Sequence, residues 1–347
     1  MSSERVALRA LNLITQADTS EIRLEAVGPV DDLRSILGSK NVVGIGIAEK
    51  VSKRGSAGKL AVTFYVERKK SKKNLKADDF IPPVLHPELT GGEPVLTDVV
   101  QLGKIGPEVN AVNNPIQPGN SVGHAGEDAA GTLGAIVTSG KGQRCQLLSN
   151  SHVLAKSGKA KAGDGAVLPG RLDGGKVPND IVGKLAKWSK WKVGGQFVNT
   201  VDVAVATVVP ARSQDLNAAI RTMSLVSSTI APKRGMKVVK VGRTTGKTTG
   251  TIRDIHFRFV LNYPGVGKVG YRDQILVTRF TKPGDSGSLV VDQKSKKAVG
   301  LHFAGASGGS VSNPIDAVLK TMGVRLAAVK NPCAGKPRSG RTRRGNA

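Results

Sequence analysis

The 347-residue chain predicts a mainly β protein, and three observations carry that prediction. Apolar residues make up 39%, aromatics only 3%, and glycines number 43, so cores of Val, Ile, Leu and Ala must lie in strands punctuated by glycine turns. From about residue 132, short apolar runs recur with turn residues between them: TLGAIVTS, QRCQLLSN, DVAVATVV, MKVVKVG, GTIRDI, QILVTRF, SLVVDQ and AVGLHFAG. Strands of this length and spacing indicate a sandwich or barrel, and their number is enough for two. The length agrees, since it exceeds one typical domain.

The N-terminal third reads differently. Residues 21–38 predict a short helix, followed by strand-like runs at NVVGIGIAEK, KLAVTFYVERKK and EPVLTDVVQLG. Together they define a small α/β module over residues 1–110, after which NAVNNPIQPGNSVGHAGEDAAG has the Asn, Pro and Gly content of a linker. Two β units follow, over 111–210 and 211–327, with SQDLNAAIRTM read as a helical connection between them. Asn313 is a good N-cap and Pro314 a good first helical residue for the amphipathic IDAVLKTMGVRL. Residues 328–347 have the composition of a disordered basic tail.

Composition limits the partners. No apolar stretch approaches the roughly 20 residues that cross a bilayer, and arginines interrupt MSSERVALRALNLITQ where a leader would be apolar. With Cys145 and Cys333 as the two cysteines, the second in a Gly/Pro/Arg tail, no disulfide framework is expected, and the chain is placed in the cytoplasm. The formal charge of +26 suits non-specific polyanion binding. Its denser groups, Arg68, Lys69, Lys70, Lys72 and Lys73 and then Lys336, Arg338, Arg341, Arg343 and Arg344, are not interleaved with aromatics, so a solvated basic surface is expected rather than a nucleic-acid reader.

Three local patterns carry chemistry only in combination. His152 follows a strand-like run in LLSNSHVLA, Asp202 opens the alternating DVAVATVV, and Ser286 sits in the turn GDSGS before SLVV. Each alone is an ordinary turn or cap residue. In the order His, Asp, Ser they form a nucleophile system. A serine hydroxyl is a poor nucleophile until a neutral imidazole takes its proton, and a buried carboxylate must orient that imidazole and stabilise its charged form. The glycines flanking Ser286 allow backbone N–H groups to converge on a developing oxyanion.

These residues give the chain its resemblance to the chymotrypsin-like serine peptidases: SHVL around His152, DVAV around Asp202, GDSGSLVV around Ser286 and VGLHFAG downstream, spanning residues 115–327. The longer strings GNSVGH, AGTLGAIV, LSNSHVLA, VLPGRLDGG and VGRTTGKTTG resemble a bacterial group related to the plant narrow-leaf peptidases. The resemblance implies two six-stranded antiparallel β-barrels with a C-terminal helix and a triad in the cleft between them. It makes His152 the general base and acid, Asp202 its partner, Ser286 the nucleophile, and the Gly284–Asp285–Ser286 backbone the oxyanion hole through the Gly284 and Ser286 amides. Asp180, in NDIVGKL, is the rival carboxylate. Digestive relatives mature by inserting a freed apolar N-terminus beside the Asp before the nucleophile; here the barrels follow a long module, so Asp285 needs another partner or a preformed loop.

The same resemblance addresses specificity. Phe280, six residues before Ser286, occupies the base of the pocket and lacks the carboxylate that a Lys or Arg preference requires. Thr281 and His302 match the Thr/His pair of picornaviral main cysteine proteases, which prefer Gln, and a histidine at the second place also occurs in glutamyl endopeptidases. An imidazole N–H and a hydroxyl both donate to a carbonyl or carboxylate oxygen, so Glu or Gln is expected before the scissile bond, with Phe303 and Gly305 completing the substrate-binding set. The alternative for His302 is a core histidine bonded to backbone.

GRTTGKT, residues 242–248, has three residues between its glycines where a phosphate-binding loop has four, and it predicts a hairpin. The five histidines have no metal-ligand spacing, and no cofactor or metal is expected. The expected function is thus a serine endopeptidase acting on protein or peptide, regulated or directed by its N-terminal module and compatible with a homo-oligomer. The alternative is a catalytically silent polyanion-binding or scaffold protein on a peptidase fold.

Overall fold

The computed structural model describes residues 3–15, 36–37, 41–52, 55–71, 74–75, 80–85, 87, 93–103, 115–139 and 144–334. The module contains helix α1 (Ser3–Thr15) and strands β1 (Val42–Ser52), β2 (Gly55–Val66), β3 (Val84–Leu85) and β4 (Val95–Gln101). Val6, Ala7, Ala10, Leu11 and Ile14 recur at helical spacing and pack on Ile45, Ile47, Val62 and Phe64, while Arg5 and Arg9 stay exposed. The arginines that interrupt the N-terminal apolar pattern are therefore the solvent face of an amphipathic helix. The helix expected over 21–38 lies outside the described residues except for Ile36 and Leu37.

The first β unit has strands β5 (Ser121–His124), β6 (Gly131–Thr132), β7 (Ala135–Ser139), β8 (Arg144–Ser149), β9 (Gly165–Val167), β10 (Ile181–Trp188) and β12 (Ala204–Val208), while β11 (Phe197–Asn199), between the last two in the chain, pairs with the sheet of the second unit. Pairing runs β7–β8–β12–β10–β9–β5–β6, and β6 and β7 are one run interrupted at Leu133 and Gly134. Counted as one strand, they close a barrel of six. The break has a cause: a Cβ on Gly134 would lie 2.2 Å from the carbonyl of Gly287 in the opposite unit.

In the second unit, β13 (Lys237–Gly242), β14 (Gly246–Tyr263), β15 (Gly267–Val277), β16 (Leu289–Asp292), β17 (Ala298–Ala306) and β18 (Gly309–Pro314) pair in the order β15–β18–β17–β16–β13–β14, and a β14–β15 pairing closes the ring. Between the barrels, Val137, Leu148 and Val205 of the first pack on Val239, Val291 and Leu301 of the second. Helix α2 (Ser151–Leu154) leaves β8, and helix α3 (Ile315–Met322) is followed by β19 (Arg325–Leu326), which returns to pair with β7.

Four expectations are corrected. The module is not a separate body on a linker: β1 pairs with β14 at Ile45 and Arg258, making one sheet of 11 strands, and buried Arg258 donates to Asn12 and Thr15 of α1. SQDLNAAIRTM is not a helix beyond a short 3-10 turn over Pro210–Asp215; Leu216, Ala218, Ala219 and Ile220 are all buried, with Leu216 and Ala218 in one barrel core and Ile220 in the core between the barrels. Asn313 is not a helix cap, because the cap position is Pro314 and the Asn313 side chain turns inward to Asp202.

Cys145 and Cys333 form a disulfide with their Cα atoms 6.1 Å apart, so cysteine usage does not carry the cytoplasmic placement. The described tail through residue 334 is likewise held, with Asn331 donating to the carbonyl of Ser213 at 3.1 Å and Ala218 N–H to that of Lys330 at 2.6 Å. No described helix is long and apolar enough to cross a membrane.

Candidate active site

His152 and Asp202 meet because their strands are partners. β8 and β12 are antiparallel with Ser149 opposite Ala204, so the second residue of α2 and the residue two before β12 come together. Asp202 is fully buried and His152 has 11% of its side chain exposed. The Asp202 Oδ2 lies 2.5 Å from His152 Nδ1, and Oδ1 accepts the backbone N–H of Ser151 at 2.7 Å and of His152 at 3.3 Å. Oδ2 also accepts the Tyr263 hydroxyl at 2.8 Å. Burial and then the Asp202 charge push the Tyr263 phenol well above its ordinary value, so it stays a donor. Asn313 brackets the Asp202 backbone, accepting its N–H at 3.0 Å and donating to its carbonyl at 3.2 Å, and Asn150 donates to the same carbonyl at 2.8 Å. Asp180 plays no part here: it accepts the Lys176 N–H at 2.7 Å in an exposed turn.

Ser286 sits on the facing barrel in a turn whose flanking glycines both have φ of 97°, a left-handed conformation that favours glycine. Thr132 ties the two sides together. Its N–H donates to the Ser286 carbonyl at 2.7 Å, its hydroxyl donates to the Gly284 carbonyl at 2.6 Å, and its carbonyl accepts Ser149 Oγ at 2.8 Å. The Ser286 hydroxyl donates to the Phe303 carbonyl at 3.3 Å, and His152 Nε2 is buried without a hydrogen-bond partner. No hydrogen bond joins Ser286 to His152 in this conformation. The Asp285 N–H donates to the Lys282 carbonyl at 3.1 Å and the Gly287 N–H to that of His302 at 2.8 Å, which removes Asp285 from the oxyanion donors.

Asp285 has the partner its position demands. Lys240 Nζ lies 2.9 Å from its Oδ2, and both side chains are fully buried. The Gly242–Gly246 hairpin wraps the same carboxylate: the amides of Thr244 and Thr245 donate to Oδ1 at 3.2 and 3.1 Å, and the Thr245 hydroxyl to Oδ2 at 2.5 Å. Burial opposes the charge, but Lys240, the Thr245 hydroxyl and the Lys282 amide outweigh it and hold the carboxyl below its ordinary value. The stretch that mimics a phosphate loop is thus the cradle of the Asp285 carboxylate, beside Ser286.

Among the residues expected to bind substrate, Thr281 Oγ1 is 2.6 Å from Ser310 Oγ, with both side chains buried. His302 is fully buried and burial lowers it to about 3, so it is neutral; the Val311 backbone lies near it, but neither ring nitrogen makes a hydrogen bond. Ser312, its cross-strand partner, also carries a buried hydroxyl without a hydrogen bond. The side chains of Phe280 and Phe303 do not belong to a polar pocket. The first packs with Val277 and Val299 and stands edge-on to His302, and the second joins Phe259 and Tyr271 in an aromatic core. Gly305 lies opposite Ser310 in the β17–β18 pair.

Sequence reasoning missed Tyr263, Lys240, Asn313, Ser310 and Ser312. The one available signal was Lys240, a lysine in the apolar run MKVVKVG. Among the described residues no cluster of His, Cys, Asp and Glu could hold a metal ion.

No protein-family model and no curated protein matches the chain. Solved structures similar to it include a glutamic-acid-specific serine protease that uses a histidine triad in substrate binding, at 19% identity over 61% of this chain and 100% of that one, with a TM-score of 0.44. Protease A of Thermobifida fusca is similar at 19% identity over 61% of this chain and 98% of that one, with a TM-score of 0.43. The chymotrypsin of Cellulomonas bogoriensis is similar at 20% identity, with the same two coverages and a TM-score of 0.42. Two closed six-stranded barrels, with His152 and Asp202 on one and Ser286 on the other, give the chain a chymotrypsin-like fold.

Proposed function

We propose that the protein is a serine endopeptidase. The observation that carries this reading is the buried Asp202 carboxylate 2.5 Å from His152 Nδ1, which fixes Nδ1 as the protonated nitrogen and leaves Nε2 with its lone pair as the base. Ser286 Oγ leaves the Phe303 carbonyl by rotation about χ1, gives its proton to Nε2 and attacks the scissile carbonyl carbon. The oxyanion is taken by the N–H groups of Gly284 and Ser286, neither of which has an acceptor among the described residues. The imidazolium then protonates the leaving amine. Water hydrolyses the acyl-enzyme by the same proton path, restoring Ser286.

Glu or Gln precedes the scissile bond in this reading, supported by the buried, neutral His302 and by the paired hydroxyls of Thr281 and Ser310, the latter lying two residues from Ser312, the strand partner of His302. The apolar packing of the Phe280 ring argues against Lys and Arg. The N-terminal module positions the catalytic unit, since it shares a sheet with β14. The test is labelling with a fluorophosphonate probe: the parent chain takes one equivalent, and Ser286→Ala and His152→Ala take none. An unlabelled, folded parent chain would leave a silent scaffold as the better description.

A further inference from the structure

A pocket of about 270 Å³ lies on the His152 side of the candidate site, linked to it through Trp191 and Tyr263. It is lined by Ser157 to Lys159, Ser189 to Trp191, Val193, Gly265 and Val266. Each wall is chained to the candidate site. The first follows α2, which carries His152; the second precedes Asp202; the third is the turn immediately after Tyr263. Trp191 stacks on Tyr263 at 4.3 Å between ring centroids, and the Tyr263 ring is 6.2 Å from that of His152. A group seated in the pocket is thus separated from the catalytic imidazole by two aromatic rings.

The chemistry of the walls is one-sided. Residues 151–163, 186–199 and 262–271 contain Lys156, Lys159, Lys161, Lys187, Lys190, Lys192 and Lys268 and no Asp or Glu. Lys159, Lys190, Lys192 and Lys268 are exposed. Lys190 Nζ rests 3.8 Å over the Trp188 ring, and Lys187 donates to the Thr321 carbonyl. Lys159 and Lys190 line the pocket with no carboxylate in its walls, so an anion entering it gains from both. Between the lysines the surface is apolar, with Trp191, Val193 and Val266, and Val193 is 50% exposed. Ser157, in one wall, and the preceding Lys156 have φ of 53° and 51°, strained values for residues with side chains.

Building on the endopeptidase reading, we propose that this pocket is a subsite for an acidic, partly apolar stretch of the substrate polypeptide. Its lysines select Glu or Asp a few residues from the scissile bond while Trp191, Val193 and Val266 hold a neighbouring apolar side chain. The substrate class is accordingly an extended acidic segment, and the basic surface of the chain serves selection at the cleft.

The test uses the full chain carrying Ser286→Ala, so that binding is read without turnover. A fluorescent decapeptide containing Leu and three Glu residues and its Gln counterpart are compared by anisotropy. Expected is at least ~10-fold tighter binding of the Glu peptide at low salt, shrinking as salt screens it. The preference should be lost in Lys159→Glu/Lys190→Glu and kept in Lys233→Glu/Lys294→Glu, which alters charge equally elsewhere. Equal loss in both double variants would overturn the proposal, because the attraction would then belong to the whole surface. Equal binding of the two peptides by the parent sequence would overturn it as well. Since no step depends on catalysis, a failed fluorophosphonate label and a failed subsite are told apart.

Discussion

Lys240 and Asp285 form a buried ion pair, 2.9 Å from Nζ to Oδ2, that joins β13 of the second barrel to the residue before Ser286. The pair sits in the interior, within the chain's own barrel, so the turn around Ser286 has an internal partner for Asp285. Two buried charges stabilise a fold weakly as a pair but make the loss of either costly, because the survivor is stranded in a low-dielectric interior.

Lys240→Met should therefore destabilise the chain by about 3–5 kcal/mol in urea unfolding at neutral pH. Adding Asp285→Asn to it should recover most of the loss. Because Asp285 is held below its ordinary 3.8, the stabilisation is present above that pH and lost as pH falls through the lower folded value, so the cost of Lys240→Met should shrink in acid. A cost unchanged at low pH would show that packing, not charge, is at stake.

Tyr263→Phe removes one donor to the Asp202 oxygen that also faces His152 and leaves the ring stacked on Trp191. A hydrogen bond to a buried charge contributes about 1.5–3 kcal/mol. Peptide hydrolysis should lose ~10-fold or more in kcat with KM unchanged. A variant within about twofold of the parent in kcat would remove Tyr263 from the orienting set.

His302 is held near 3 by burial and is neutral across the working range. A Gln side chain meets it without a proton change, whereas a Glu carboxylate binds best when one proton is taken up. The Glu-to-Gln ratio of kcat/KM should thus fall as pH rises from about 5.5 to about 8, by up to ~10-fold per unit. His302→Leu should flatten the ratio. A parent ratio independent of pH would separate His302 from the specificity pocket.

Asp254 lies where the module meets the second barrel, with its Oδ2 3.4 Å from the Tyr65 hydroxyl, and burial raises it to about 7. The sign is opposite to that of Asp285. Its protonated form is favoured in the fold, so its contribution is fully present below 3.8 and lost as pH rises through about 7. Asp254→Asn should raise stability at about pH 8 by roughly 1–3 kcal/mol relative to its effect at about pH 4. Equal effects at both pH values would show that Asp254 ionises freely.

The strands were legible because their side chains alternate. NVVGIGIAEK, DVAVATVV and SLVVDQ all lie on observed strands, and the Gly242–Gly246 hairpin is where its glycines predicted. Burial misled where it acted across the fold: SQDLNAAIRTM has helical composition, yet its apolar residues are taken up by the barrel cores on either side of it. Asn313 reads as a cap in one dimension and is a ligand of the Asp202 backbone in three.

By itself the sequence determined the two β units, the turn around Ser286 and the candidate trio of His152, Asp202 and Ser286, because strand alternation and glycine turns are local properties. The tertiary structure decided that Lys240 answers Asp285, that Tyr263 supports Asp202, that β1 fuses the module to the barrel, and that Cys145 reaches Cys333 across 188 residues. Each of these joins residues whose separation along the chain carries no local signal. The Lys240 and Tyr263 contacts are selected by the cost of leaving a buried charge or polar atom without a partner, and that cost exists only once the chain has closed around it.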